Sequence, residues 1–198
     1  MDRFAHPPPQ PAPVLAPLAC CVAAVPYAYP WDGLIARFKF RQEPGLAPLL
    51  AGLMLRAPGF AALAMRCDMI VPVPLSRQRL TERGYNQSWE LIRALARKQP
   101  ALASRTTGLC LERRAGLADQ HDLPRQERLK NLEDAFTVPL QWRASVKGRR
   151  ILLVDDVTTT GATLAHAAQA LLKAGAASVH AAVVAATPDP ARSQRDPQ

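Results

Sequence analysis

The feature that most constrains this chain is the string ILLVDDVTTTGAT at residues 151–163. Four consecutive apolar residues between polar flanks predict a strand covered on both faces, as in a parallel sheet packed between helices. The acids Asp155 and Asp156 follow at the carboxyl end of that strand, where open α/β sheets bind ligands. A threonine-rich turn containing Gly161 leads into LAHAAQALLKAG, an Ala/Leu helix with Gly175 at its natural stop. SVHAAVVAAT then predicts another strand. Strand, loop, helix and strand at this spacing make a βαβ unit, so the fold class is α/β with a doubly wound, mainly parallel sheet and flanking helices.

The same string has a chemistry. Backbone N–H groups at the start of a helix lack intrahelical partners, and the helix dipole adds partial positive charge there. Gly161 lets an anion approach the main chain, and Thr158, Thr159, Thr160 and Thr163 offer hydroxyl donors, with Val157 and Ala162 completing the segment. This is a phosphate cradle. Two carboxylates beside it repel a bare anion, but they accept hydrogen bonds from a sugar diol and can hold Mg²⁺ through water. A ligand with a phosphate at one end and a vicinal diol close by satisfies both halves, and ribose 5-phosphate is such a ligand. The plainer alternative is a strand–turn–helix with an acidic cap and threonines serving the turn. The loop G-x-x-x-x-G-K-[ST] is absent, which argues against an ATPase.

Elsewhere, residues 1–25 read as a Pro/Ala-rich tail, residues 26–188 as the folded domain and residues 189–198 as a polar tail. In PWDGLIARFKF, Leu34, Ile35 and Phe38 share a helical face, with Arg37 and Lys39 expected off it. LAPLLAGLMLRA predicts a second helix and CDMIVPVP a buried strand. LSRQRLTERGYNQ is expected to be a polar loop, followed by a helix over SWELIRALARK with Trp89, Ile92 and Leu95 on its apolar face. LCLERR and AFTVPL suggest strands, and ADQHDLPRQERLKN a helix-containing loop.

The formal charge is +9, and over residues 77–130 basic side chains outnumber acidic ones about two to one. Such a field attracts phosphates, on a small molecule or on nucleic acid. The four cysteines form no C-x-x-C pair and no histidine cluster could complete a zinc site, so no zinc is expected. No apolar run is long and Pro-free enough to span a bilayer, so no membrane insertion is expected and a cytoplasmic location is.

The string at 151–163 closely resembles the phosphoribosyl pyrophosphate (PRPP) motif of type I phosphoribosyltransferases. VPVPLSRQRLTERGYNQS, FKF at 38–40 and RQERLKNLEDAF at 125–136 narrow the resemblance to the ComF-type (competence protein F, GntX-like) branch, over residues 27–187. It implies the type I phosphoribosyltransferase fold with a small hood region, and PRPP as ligand. Asp155 and Asp156 would hold the ribose hydroxyls and, indirectly, Mg²⁺, and residues 157–163 would wrap the 5-phosphate. Arg77 and Arg83 would carry leaving-group charge, with Arg79 near them. The chain departs from the family pattern in three places: a Pro/Ala tail where a zinc ribbon is usual, Ala115 and Leu117 at Arg and Thr positions, and Gln42 at a glycine position. The function implied is phosphoribosyl transfer linked to DNA uptake in natural competence, with a homodimer as the assembly to test. The alternative is a non-catalytic adaptor that binds single-stranded DNA and partners a competence helicase. A ligand-sensing repressor is disfavoured, since no DNA-binding domain is evident.

Overall fold

The computed structural model describes residues 17–114 and 135–187. In chain order the first half comprises β1 (Cys20–Pro26), α1 (Trp31–Phe40), a 3₁₀ turn (Pro44–Leu46), α2 (Ala47–Arg56), α3 (Phe60–Arg66) and β2 (Met69–Pro72). Then come α4 (Arg77–Arg83), α5 (Gln87–Lys98), a second 3₁₀ segment (Pro100–Arg105) and β3 (Glu112–Arg113). The remainder is β4 (Phe136–Thr137), α6 (Leu140–Val146), β5 (Arg150–Thr158), α7 (Ala162–Lys173) and β6 (Ser178–Ala186).

The main sheet has the order β1-β6-β5-β2, and every pairing in it is parallel. β5 is central because it is apolar on both faces. Ile151 and Leu153 pack on the side of α6 and α7, while Leu152 and Val154 pack on the side of α2 and α5, and all four are wholly buried. A side chain buried this fully contributes about 1.5–3 kcal/mol. β6 alternates in the same way, with Ala181 and Val183 on one side and Ala182 and Val184 on the other. Helices thus cover both faces, as a doubly wound sheet requires.

α7 closes as its sequence predicts. Gly175, at φ +98°, donates to the Leu172 carbonyl at 2.9 Å and Ala176 donates to Leu171 at 3.1 Å, the two bonds of a Schellman stop. Among the described residues no single helix is long and apolar enough to cross a membrane.

Several expectations are corrected. The end of the supposed tail, Cys20 onward, is the edge strand β1, in register with β6 from Cys20 opposite His180 to Pro26 opposite Ala186. Its small Cys, Val and Ala side chains show no polar alternation in sequence, but they cover the backbone edge that β6 would otherwise expose. The supposed loop after β2 contains α4, capped by Ser76, whose Oγ accepts the Arg79 amide at 3.3 Å, and stopped by Gly84 at φ +75°. LCLERR and AFTVPL contribute only the two-residue antiparallel ladder of β3 and β4. The helix over LQWRASV has no counterpart in the sequence reading. The helix-containing loop, Ala115, Leu117 and the tail from 189 lie outside the described residues.

Candidate functional site

β5 does not stop before its acids. It carries Asp155 and Asp156 inside the strand and ends at Thr158, opposite Ala186 of β6. Both carboxylates are met from the side of α1 and α5. Asp156 is buried and its Oδ1 lies 2.9 Å from the Lys39 ammonium at the end of α1. The same oxygen accepts the Val157 amide at 2.7 Å. Asp155 Oδ1 accepts the Ser88 hydroxyl at 2.9 Å and the Asp156 amide at 2.9 Å. Burial, and after it the charge of Asp156, push the Asp155 carboxyl up to about 7; the Asp156 amide, Ser88 and Lys39 act in the opposite sense. The oxygens of the pair can accept hydroxyl donors or share a cation.

The strand passes into α7 through Thr159 and Thr160, both exposed, and Gly161 at φ +75°. The left-handed backbone at Gly161 turns the chain sharply into the helix. Its carbonyl accepts the first helical bond, from Ala165 at 2.9 Å, so the amides before Ala165 have no intrahelical acceptor. The Ala162 amide has a long contact of 3.4 Å to Thr160 Oγ1. Ala162 and Thr163 are exposed and Thr158 is buried. The expected phosphate cradle is thus open to a ligand, directly beyond the acid pair.

Lys39, the partner of Asp156, also lines a cavity of about 570 Å³ with Phe40, Arg79, Glu82 and Arg83. The Arg83 guanidinium stacks 5.1 Å from the centre of the Phe40 ring and donates to Gln87 Oε1 at 3.2 Å. Buried Gln87 donates in turn to the Lys39 carbonyl at 3.4 Å, and the Tyr85 hydroxyl donates to the Phe38 carbonyl. Asn86 Oδ1 accepts the Trp89 amide at 3.1 Å and caps α5, while its Nδ2 holds the Val73 carbonyl at 3.1 Å. The end of α1 is therefore bolted to the α4–α5 junction, and the junction to the end of β2. Arg83, expected to carry leaving-group charge, lines this cavity. Arg77, on the exposed first turn of α4, is not among the residues lining this cavity, and Arg79 is.

Two participants were missed in sequence. Lys39 lies one helical turn after Ile35 and therefore on the buried face of α1 with Ile35 and Phe38, not off it. A lysine on a core-facing stripe needs a partner, and that was the available signal. Ser88 lies likewise on the buried stripe of Leu91, Ile92 and Leu95. Among the described residues no cluster of three His, Cys, Asp or Glu side chains forms a metal site. The acid pair suits Mg²⁺ only with water or ligand oxygens completing its shell.

A phosphoribosyl transferase domain matches residues 118–197. The DNA utilization protein YhgH of Escherichia coli K12 is 38% identical over 162 residues, covering 80% of this chain and 68% of that protein. Competence protein F of Haemophilus influenzae is 34% identical over 152 residues, 75% of this chain and 65% of the relative. Competence protein ComFC of Bacillus subtilis is 36% identical over 109 residues, 55% of this chain and 40% of the relative. Among solved structures, the glutamine PRPP amidotransferase of B. subtilis is similar at 17% identity and a TM-score of 0.47; the match covers 75% of this chain and only 30% of the amidotransferase.

Proposed function

Because the chain belongs to the ComF-type branch of the phosphoribosyltransferase family, we propose that it binds PRPP across the carboxyl end of β5 and transfers the phosphoribosyl group to a nitrogen nucleophile. The observation that carries this reading is how the acid pair is connected: along the chain it runs into the open threonine turn, and through the 2.9 Å Lys39–Asp156 contact it is joined to the cavity that Arg79, Glu82 and Arg83 also line. PRPP likewise joins a 5-phosphate, a diol and a diphosphate.

In this reading Asp155 and Asp156 accept the ribose 2- and 3-hydroxyls and residues 157–163 take the 5-phosphate. Arg83, with Arg79, meets the diphosphate, and Arg77 is left to the rim. The bond from C1 to the pyrophosphate oxygen breaks and its electron pair leaves with pyrophosphate, giving an oxocarbenium-like C1. The nitrogen lone pair closes the new C1–N bond, and the proton lost from nitrogen passes to solvent. Fixed cations aimed at the departing oxygens contribute most where charge develops. Mg²⁺, when bound, neutralises diphosphate charge, with the acid pair holding it through ligand or water. The names of the relatives, a DNA utilization protein and competence proteins, support a link to DNA uptake.

Titration calorimetry of PRPP with Mg²⁺ tests the reading. Micromolar binding by the wild type, abolished in Asp155→Asn/Asp156→Asn, supports it; no binding by folded wild type refutes it. A second reading has its own observation: Phe40 is 69% exposed beside Arg83 on a chain of charge +9, a pairing that also suits a stacked base of single-stranded DNA. Salt-dependent oligonucleotide binding indifferent to the double variant would favour that adaptor role, with a competence helicase as partner.

A further inference from the structure

We propose that Lys39 makes this site selective for a ribose that carries a diphosphate over one that does not, by exchanging Asp156 for the diphosphate. The inference rests on the ribose-phosphate reading above and adds to it a residue which that reading does not require.

One side chain faces both subsites. The Lys39 ammonium lies 2.9 Å from Asp156 Oδ1, and the same residue lines the cavity that holds Arg79 and Arg83. Its backbone is fixed, because its carbonyl accepts from Gln87 and the preceding carbonyl from Tyr85. Only the four-carbon stem is free to swing, and an ammonium with three rotatable donors loses little by changing partners. Arg83 is different in kind, already held by the Phe40 ring and by Gln87.

The charges then decide which ligand is welcome. Asp156 and Lys39 have side-chain exposures of 6% and 21%, so neither loses its partner cheaply. A diol arriving on the acids can replace the ammonium at Asp156, but the released ammonium needs an anion of its own. Ribose 5-phosphate brings one phosphate, and the turn at 158–163 claims it. PRPP brings in addition a diphosphate on the carbon next to the 2-hydroxyl, within a side chain's reach of the acid pair. Only the second ligand compensates both members of the ion pair.

The test compares the affinities of PRPP and ribose 5-phosphate, each with Mg²⁺, for the wild type, Lys39→Gln and Lys39→Arg, with thermal melts to show that each is folded. In Lys39→Gln the preference for PRPP should fall at least tenfold, through weaker PRPP binding, with ribose 5-phosphate bound equally or more tightly. Lys39→Arg should keep most of the preference. Equal weakening of both ligands in Lys39→Gln would show that Lys39 only holds Asp156 in place, and unchanged affinities would show that it does nothing; either overturns the inference and leaves the ribose-phosphate reading standing. A wild type that binds neither ligand overturns both. Should Lys39→Gln fail to fold, inorganic pyrophosphate with Mg²⁺ is titrated into Asp156→Asn and Lys39→Met/Asp156→Asn, where no buried charge of the pair is left without compensation by the second change. A tenfold weaker affinity in the double variant is then expected, and equal affinities refute the exchange.

Discussion

Replacing Asp155 by asparagine should stabilise the fold while removing a carboxylate of the proposed ribose site, and the gain should depend on pH. The folded state holds this carboxyl up near 7, through burial first and the Asp156 charge second, against an ordinary value of 3.8. Between those values the folded protein binds a proton that the unfolded chain has released, so stability falls as pH rises across the window. The full penalty is present above the folded value and absent below 3.8. At 1.36 kcal/mol per pH unit its ceiling is about 4 kcal/mol. Buried sites respond with an effective dielectric well above that of dry protein, so about 2 kcal/mol is the working figure. For a domain of this size that corresponds to a rise of about 4–8 °C in Tm. Asparagine keeps an oxygen for the Ser88 hydroxyl and the Asp156 amide, so the local hydrogen bonds survive. Differential scanning calorimetry of both proteins at pH 5 and pH 8 checks this. A variant advantage at pH 8 that shrinks toward pH 5 is expected. No advantage at pH 8, or the same one at both pH values, would refute a site held under electrostatic strain.

Two further perturbations test how the site is supported. Asn86→Ala removes both the cap of α5 and the bond to the Val73 carbonyl, and should cost about 1–2 kcal/mol in urea denaturation while loosening the α4–α5 junction. Asp68, at the far end of the sheet, accepts side-chain and backbone hydrogen bonds from Arg150, which lower its carboxyl from 3.8 to about 2. That contribution is complete above the ordinary value and lost as pH falls through the folded one. Asp68→Asn should therefore cost less than about 1 kcal/mol at pH 7, since the pair is partly solvated, and a smaller amount as pH falls toward the folded value.

Much of the architecture was legible because it depends on local pattern. The apolar run before Asp155, the Ala/Leu helix with its glycine stop and the valine-rich run at β2 state their periods openly, and the parallel sheet follows from their order. The helix α4 lies where the sequence predicts a loop: Ser76 and Gly84 mark its two ends, but with no buried residue it shows no apolar stripe. β1 was not legible, since an edge strand of small residues has no period of its own and is specified by the strand it covers.

At the site the division is the same. The acid pair, the threonine turn and Gly161 are contiguous in the chain, so the sequence alone determined that a phosphate and a diol were the groups to expect. Which cations stand beside the acid pair was decided only in three dimensions. Lys39 and Asp156 are 2.9 Å apart in space yet belong to elements at opposite ends of the chain, and Ser88 reaches Asp155 from a third. The choice of Arg79 and Arg83 over Arg77 follows from which face of α4 the junction with α1 turns toward the cavity. Chain pattern sets what each segment buries, whereas the pairing of distant charges depends on how those buried faces pack against one another.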